Sequence, residues 1–186
     1  GYVVTWSVED LLEEYVRPAR IVRGGKSVAV PVFSDLVRIR VDGVGEMESF
    51  LTDGLRTLLD CGVREATEKT LRWPGHVHAI QPLLASGRFV EELKAKCAGG
   101  DDLVVLLIDV VRSGKRERVQ LVDRAQGGLT AMSRTTALTC AAFARWASQG
   151  IRETGVVPPE KIGADAKACR FLFDALTAHG MRIAGA

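Results

Sequence analysis

The chain has 186 residues, enough for a domain that buries its own core without metal or disulfide staples, since domains commonly run to roughly 100–200 residues. Hydrophobic residues make up 47% and charged residues 26%, which excludes the apolar-poor, strongly charged regime of disordered chains. With 25 basic against 23 acidic residues the formal charge is +2, too small and too evenly spread to draw the molecule onto nucleic acid or an anionic membrane.

In chain order, Ser7 followed three residues later by Asp10 resembles a capping box, and Leu11, Leu12, Tyr15 and Val16 then lie on one helical face. Arg17-Pro18 ends that helix. Two β-rich runs, 20–22 and 27–30, flank Arg23-Gly24-Gly25-Lys26, a hairpin signal because glycine accepts positive φ. Residues 36–41 and 46–52 predict two further strands, with Asp42-Gly43 turning between them. Helical spacing returns at 55–59 and at 76–84, where Ile80, Leu83 and Leu84 share a face until Gly87, and 89–97 predicts another short helix.

The most apolar run, 103–111, is far shorter than the roughly 20 residues that span a bilayer and contains Asp109, so it predicts a strand. Ser113-Gly114-Lys115 joins it to 117–123, a hairpin expected to be the spine of the sheet. Past Gly127-Gly128, an alanine-rich helix is expected from about 134 to 149, packing through Cys140, Phe143, Ala144 and Ala147 and capped by Gly150. Pro158-Pro159-Glu160 opens a short helical turn, and a last helix over about 165–178 turns Cys169, Leu172, Phe173 and Leu176 inward. The sum is a single α+β domain: a mixed β-sheet with helices packed on one face.

Cys61, Cys97, Cys140 and Cys169 are widely spaced and lack any C-x-x-C pair, so no metal site or redox motif is written here. They read as four buried thiols of a cytoplasmic protein, with two disulfides as the alternative. The start, Gly-Tyr-Val-Val-Thr-Trp, has neither an initiator Met nor a secretion signal, and reads as part of something longer. Gly43-Val44-Gly45 is followed by Glu48 where a third glycine would stand and lies between strands, so it is no dinucleotide fingerprint.

Three segments concentrate polar chemistry. Lys69-Thr70-Leu71-Arg72-Trp73-Pro74-Gly75-His76 brings a guanidinium, an aromatic ring, a rigid turn and an imidazole to a helix start. Arg72 suits a substrate carboxylate, and His76 with the helix-start amides suits a second polar group; the alternative is that Trp73 and Pro74 only pack the turn while Arg72 faces water. Thr52-Asp53-Gly54-Leu55-Arg56 stands where a strand gives way to a helix, so Asp53 either binds a substrate ammonium or caps the helix. Met132-Ser133-Arg134-Thr135-Thr136 opens the alanine-rich helix and either receives an anion or is organised by Ser133 as an N-cap.

Six ordered segments resemble the C-terminal domain of the saccharopine dehydrogenase family, especially its lysine 6-dehydrogenase-like branch: TWSVEDLLEEY, RPARIVRGGKSVAVP, FLTDGLRTLL, KTLRWPGH, GLTAMSRTTA and GVVPPEKIG. KTLRWPGH is the most specific, with Trp73 where relatives more often carry tyrosine. The resemblance implies a substrate-binding and dimerisation domain that follows an N-terminal Rossmann half holding NAD or NADP, a half absent from these residues. It also implies oxidation or reduction of a C–N bond in an amino acid such as lysine or saccharopine. Arg72 and His76 would then lie near the substrate, with Asp53, Arg56 and Arg134 as further candidates. The expected partners are a small amino acid and a second copy in a homodimer, with neither nucleic acid nor membrane, and this chain by itself is expected to be inactive. The alternative is a non-catalytic ligand-sensing or protein-interaction module that retains the fold.

Overall fold

The computed structural model describes residues 3–97, 99–149 and 154–185. It divides into two compact units, Gly1–Ala98 and Gly99–Ala186, each built from short elements around its own interior. The α+β class is as expected. The strands, however, are shared among three antiparallel three-stranded sheets instead of joining one mixed sheet, because every pairing follows from a hairpin or an antiparallel return.

In the first unit, helix α1 (Val8–Val16) starts as its sequence requires, with Ser7 Oγ accepting the Asp10 amide at 3.2 Å. Strands β1 (Ala19–Arg23) and β2 (Lys26–Val30) are joined by Gly24 and Gly25 at φ 58° and 78°, the pair of left-handed residues that a two-residue hairpin demands. Strand β3 (Val37–Val41) pairs with β4 (Gly45–Leu51), and a 3-10 turn follows at Arg56–Asp60. Two strands were not legible as such: β5 (Glu65–Ala66), which adds to β1, and β6 (Lys69–Arg72), which adds to β4. Helices α2 (His76–Ala85) and α3 (Phe89–Lys96) complete the unit.

Its core joins Leu11 and Tyr15 of α1, Phe50 of β4, Val77 and Ile80 of α2, and Phe89 and Leu93 of α3. Tyr15 stands at the centre, with its ring centroid 5.4 Å from Phe33, 6.2 Å from Phe50 and 5.9 Å from Phe89. The placement of the site depends on that anchor, since the tyrosine hydroxyl emerges at the start of α2.

In the second unit, β7 (Leu103–Arg112) and β8 (Lys115–Arg124) form the expected hairpin, and β9 (Arg182–Ala184) pairs with Gln120–Val122 of β8. The hairpin is the spine of this sheet alone. Helix α4 (Ala131–Ala147) begins three residues earlier than its sequence suggested, with Thr130 and not Ser133 at the N-cap. The Thr130 hydroxyl accepts the Ser133 amide at 3.1 Å, while the Asp102 carboxylate takes the amides of Ala131 and Met132. Two hydroxyls three residues apart compete for this role, and the distant carboxylate decides it.

The inward face also differs from the expected one: it carries Ala131, Arg134 and Ala142, while Cys140, Ala144 and Ala147 are exposed. Helix α5 (Pro159–Gly163) opens on proline as expected, and α6 (Ala166–Ala178) is capped by the Asp165 carboxylate on the Lys167 amide. On α6 the aromatic that packs inward is Phe171, 5.4 Å from Trp146, whereas Phe173 is exposed. None of the four cysteines is buried or bridged: Cys61 and Cys140 are exposed, Cys97 and Cys169 half-buried. The cap expected of Gly150 lies outside the described residues.

Candidate functional site

The KTLRWPGH segment becomes strand, turn and helix. Strand β6 sets Arg72 opposite Glu48 of β4, and Trp73-Pro74-Gly75 then turns into α2. Gly75, at φ 91°, is the N-cap and has no side chain to cap with. Glu48 supplies the cap from β4: its carboxylate accepts the Gly75 amide at 2.9 Å and the Val77 amide at 2.6 Å, in a site where Glu48 is only 6% exposed. The helix-start amides offered to a substrate by the sequence are therefore already taken.

Arg72 is held on three sides. Its Nε donates to the Tyr15 hydroxyl at 2.9 Å, Nη1 to the Leu71 carbonyl at 2.9 Å, and Nη2 to Glu14 Oε1 at 3.3 Å. The Tyr15 hydroxyl also lies 2.9 Å from His76 Nε2. Because Arg72 Nε only donates, Tyr15 keeps its own proton for the imidazole, an arrangement that suits a neutral His76 with Nε2 as acceptor. Burial and the Arg72 charge push the His76 pKa down to about 4, against a smaller upward pull from Glu48.

A cleft of about 410 Å³ opens along α1, bounded on its other sides by Thr52, Asp53, Gly54 and Arg56 and by Glu68 and Thr70. Asp53 and Arg56 both line it. Asp53 is not a helix cap, since the 3-10 turn has Leu55 at its N-cap with no side-chain bond. Its buried carboxylate instead grips Arg20 in a two-point pair, 2.8 Å to Nε and 2.9 Å to Nη2, and accepts the Arg20 amide at 3.1 Å. The Arg20 guanidinium holds the Asp53 carboxyl below the usual aspartate range. Arg56 is exposed and sits at φ 52°, a left-handed conformation that costs a non-glycine residue on the order of 1 kcal/mol.

Glu14 connects the two arrangements, since it lines the cleft and also receives Arg72. A family model for the saccharopine dehydrogenase C-terminal domain matches residues 1–181, a span that includes every residue of this cleft. The chain belongs to that family. Membership ties this saccharopine dehydrogenase C-terminal domain to oxidoreductases of the saccharopine dehydrogenase type.

A dinucleotide needs a strand, a glycine-rich turn and a helix start in succession. In this domain Gly43-Val44-Gly45 instead joins β3 to β4 in an antiparallel hairpin, so these glycines do not fit a pyrophosphate. Among the described residues no group of three His, Cys, Asp or Glu side chains is placed to hold a metal ion, and no helix is long and apolar enough to cross a membrane.

Arg134, the fifth residue singled out, belongs to the second unit. It is 9% exposed, with Nε donating to Asp123 at 2.9 Å and Nη2 to the His179 carbonyl at 2.9 Å. The first amides of α4, next to it, are occupied by Asp102 and Thr130.

Sequence reasoning missed Glu48, Glu14, Glu68, Arg20 and the polar half of Tyr15. Glu48 left one signal, an acidic residue inside the run Met47–Leu51 that is otherwise buried throughout. An acid in such a strand requires hydrogen-bond donors, and the only question is which ones.

Proposed function

We propose that this chain is the substrate-binding and dimerisation domain of an NAD- or NADP-dependent oxidoreductase acting on the C–N bond of an amino acid such as lysine or saccharopine. The observation that carries this reading is the linkage of the site: Asp53 and Arg56 line one cleft, and that cleft reaches Arg72 and His76 through Glu14 and Tyr15. The cleft sets the guanidinium groups of Arg17 and Arg56 against the carboxyl groups of Asp10, Glu13 and Glu14, a mixture suited to a zwitterion rather than a polyanion. Arg56 has the open surface to meet a substrate carboxylate. Asp53 and Arg72, each held in an ion pair, fix the geometry around it, and neutral His76 offers a hydrogen bond that persists across the physiological range. Arg134 is buried and paired with Asp123, and does not line the cleft.

In this reading the nicotinamide cofactor, which supplies the hydride acceptor or donor, is held by a Rossmann half outside these residues, so the chain alone does not turn over. Four free thiols suit the reducing cytoplasm. The dimer reading draws on the β7–β8 hairpin. Beyond the short β9 edge this hairpin continues as two strands only, with Ile108, Val110 and Val111 each about half exposed or more.

The test is steady-state kinetics in the enzyme that contains this domain together with its nucleotide-binding half. Arg56→Ala and Arg72→Ala are expected to raise the amino-acid KM or lower kcat tenfold or more while leaving dinucleotide Kd within twofold. Equal losses of dinucleotide affinity would overturn the assignment. Tight amino-acid binding with no turnover in the intact protein would favour a ligand-sensing module.

A further inference from the structure

Four oxygens stand in a row along the cleft wall. Glu68 Oε2 is 2.6 Å from Thr52 Oγ1, Thr52 Oγ1 is 2.8 Å from Thr70 Oγ1, and Thr70 Oγ1 is 2.8 Å from Glu14 Oε1. All three separations are hydrogen-bond distances, and each bond requires one proton. The two hydroxyls supply two. The third must sit on a carboxyl group.

The surroundings decide which one. Glu14 Oε1 already accepts Arg72 Nη2 at 3.3 Å, so that oxygen stands as the acceptor at its end of the row. Glu68 has no ion-pair partner of its own in the row. It lies half-buried between β5 and β6, packed so closely on residue 54 that a Cβ there would come within 2.6 Å of Glu68 Cδ. Gly54 is thus the floor on which the Glu68 carboxyl rests, and its φ is not in the left-handed region.

We propose that Glu68 carries the additional proton and donates it to Thr52, which donates to Thr70, which donates to Glu14, so that the row holds one negative charge and changes it with pH. Burial and the nearby Glu14 charge both raise the Glu68 pKa above its ordinary value, while a Thr52 hydroxyl turned to donate to the ionised carboxylate, the Gly54 amide and Arg72 pull the other way. The other charged groups facing the cleft are Asp10, Glu13 and Arg17 from α1, Asp53 beside the strand end, and Arg56. Loss of the Glu68 proton leaves one of the three bonds without a hydrogen and places a second negative charge next to Glu14. The row is therefore a pH-sensitive element in the wall, independent of what the cleft binds.

The sign follows from the raised pKa. Between the unfolded value of 4.5 and the higher folded value the native state holds the extra proton, so this contribution to stability is complete below 4.5 and declines as pH rises through the folded value.

Side-chain carboxyl 13C NMR titration of the protein, native and in urea, tests the proton directly. A Glu68 midpoint higher in the native state is expected; an equal or lower one overturns the proposal. Polarity is tested by thermal unfolding close to pH 4.5, below the folded Glu68 value, where the row is expected to hold the proton. The side-chain amide introduced by E68Q can donate an N–H to Thr52 as the protonated acid does, so this variant should retain or exceed the parent Tm and lose the decline above pH 4.5. E14Q removes the charge opposite Arg72 and should lower Tm. A larger loss in E68Q than in E14Q would show that Glu68 is the ionised end and refute the assignment.

Discussion

The carboxylate of Glu48, on β4, accepts the backbone amide of Val77 at 2.6 Å, so α2 is capped by a strand and not by the residue that precedes it. The same carboxylate takes the Gly75 amide, which ties the glycine turn to the sheet. Glu48→Ala leaves both amides without their acceptor in a site closed to water, and should cost about 3 kcal/mol in urea unfolding. Glu48→Gln retains one acceptor oxygen and should lose roughly half as much. An alanine variant within about 0.5 kcal/mol of the parent would mean that α2 finds its cap elsewhere.

His76 gives a pH signature of the opposite sign to Glu68. Its folded pKa of about 4 lies below the ordinary 6.5, so as pH falls the unfolded chain takes up the proton first. The stability that His76 contributes is complete above 6.5 and is lost as pH falls towards 4. Imidazole NMR should show a midpoint near 4, and His76→Asn should flatten the stability profile between those limits. A midpoint near 6.5 would contradict the buried, neutral ring bonded to Tyr15.

The Arg134–Asp123 pair, with side chains 10% and 5% exposed, provides a contrast between breaking an ion pair and replacing one. Asp123→Ala strands a buried guanidinium and should destabilise the second unit by about 3–5 kcal/mol. Arg134→Met with Asp123→Leu removes both charges and should recover much of that loss, because neither charge then needs solvation. A double variant no better than Asp123→Ala would show that the His179 carbonyl, and not the carboxylate, is the partner that matters. Chemical denaturation of the three proteins distinguishes these outcomes.

What was legible in the sequence was what neighbouring residues decide. Ser7 caps α1 and Gly24-Gly25 close the first hairpin because each signal and its effect lie within four residues. Thr130 replaced Ser133 as the α4 cap because Asp102, remote in sequence, holds the two amides before it. Strand β6 was hidden because Lys69–Arg72 has no apolar run; pairing with β4 makes it a strand. The site shows the same division. Arg72, His76, Asp53 and Arg56 announce themselves by type and by position at turns, whereas Glu48, Glu14 and Glu68 acquire their roles only from partners brought up by the fold. The Cys residues illustrate the limit of composition rules: Cys61 and Cys140, small and apolar, are nevertheless exposed.

The β7–β8 arm is where the dimer reading can be tested without touching the cleft. Ile108 stands opposite Val119, and Val110 opposite Glu117, in a stretch that β9 does not reach. A two-stranded ribbon with this much apolar surface is at most marginally stable in water unless another surface covers it. A second copy laid against it would remove Ile108 and Val110 from solvent, and placing a charge there would oppose association while disturbing little else in the unit. Val110→Lys, with Ile108→Lys as an independent variant, should therefore shift the protein from dimer to monomer in light scattering and raise the dimer Kd at least tenfold, with the far-ultraviolet dichroism of the chain retained. Dimerisation unchanged by both lysines would remove the arm as the interface.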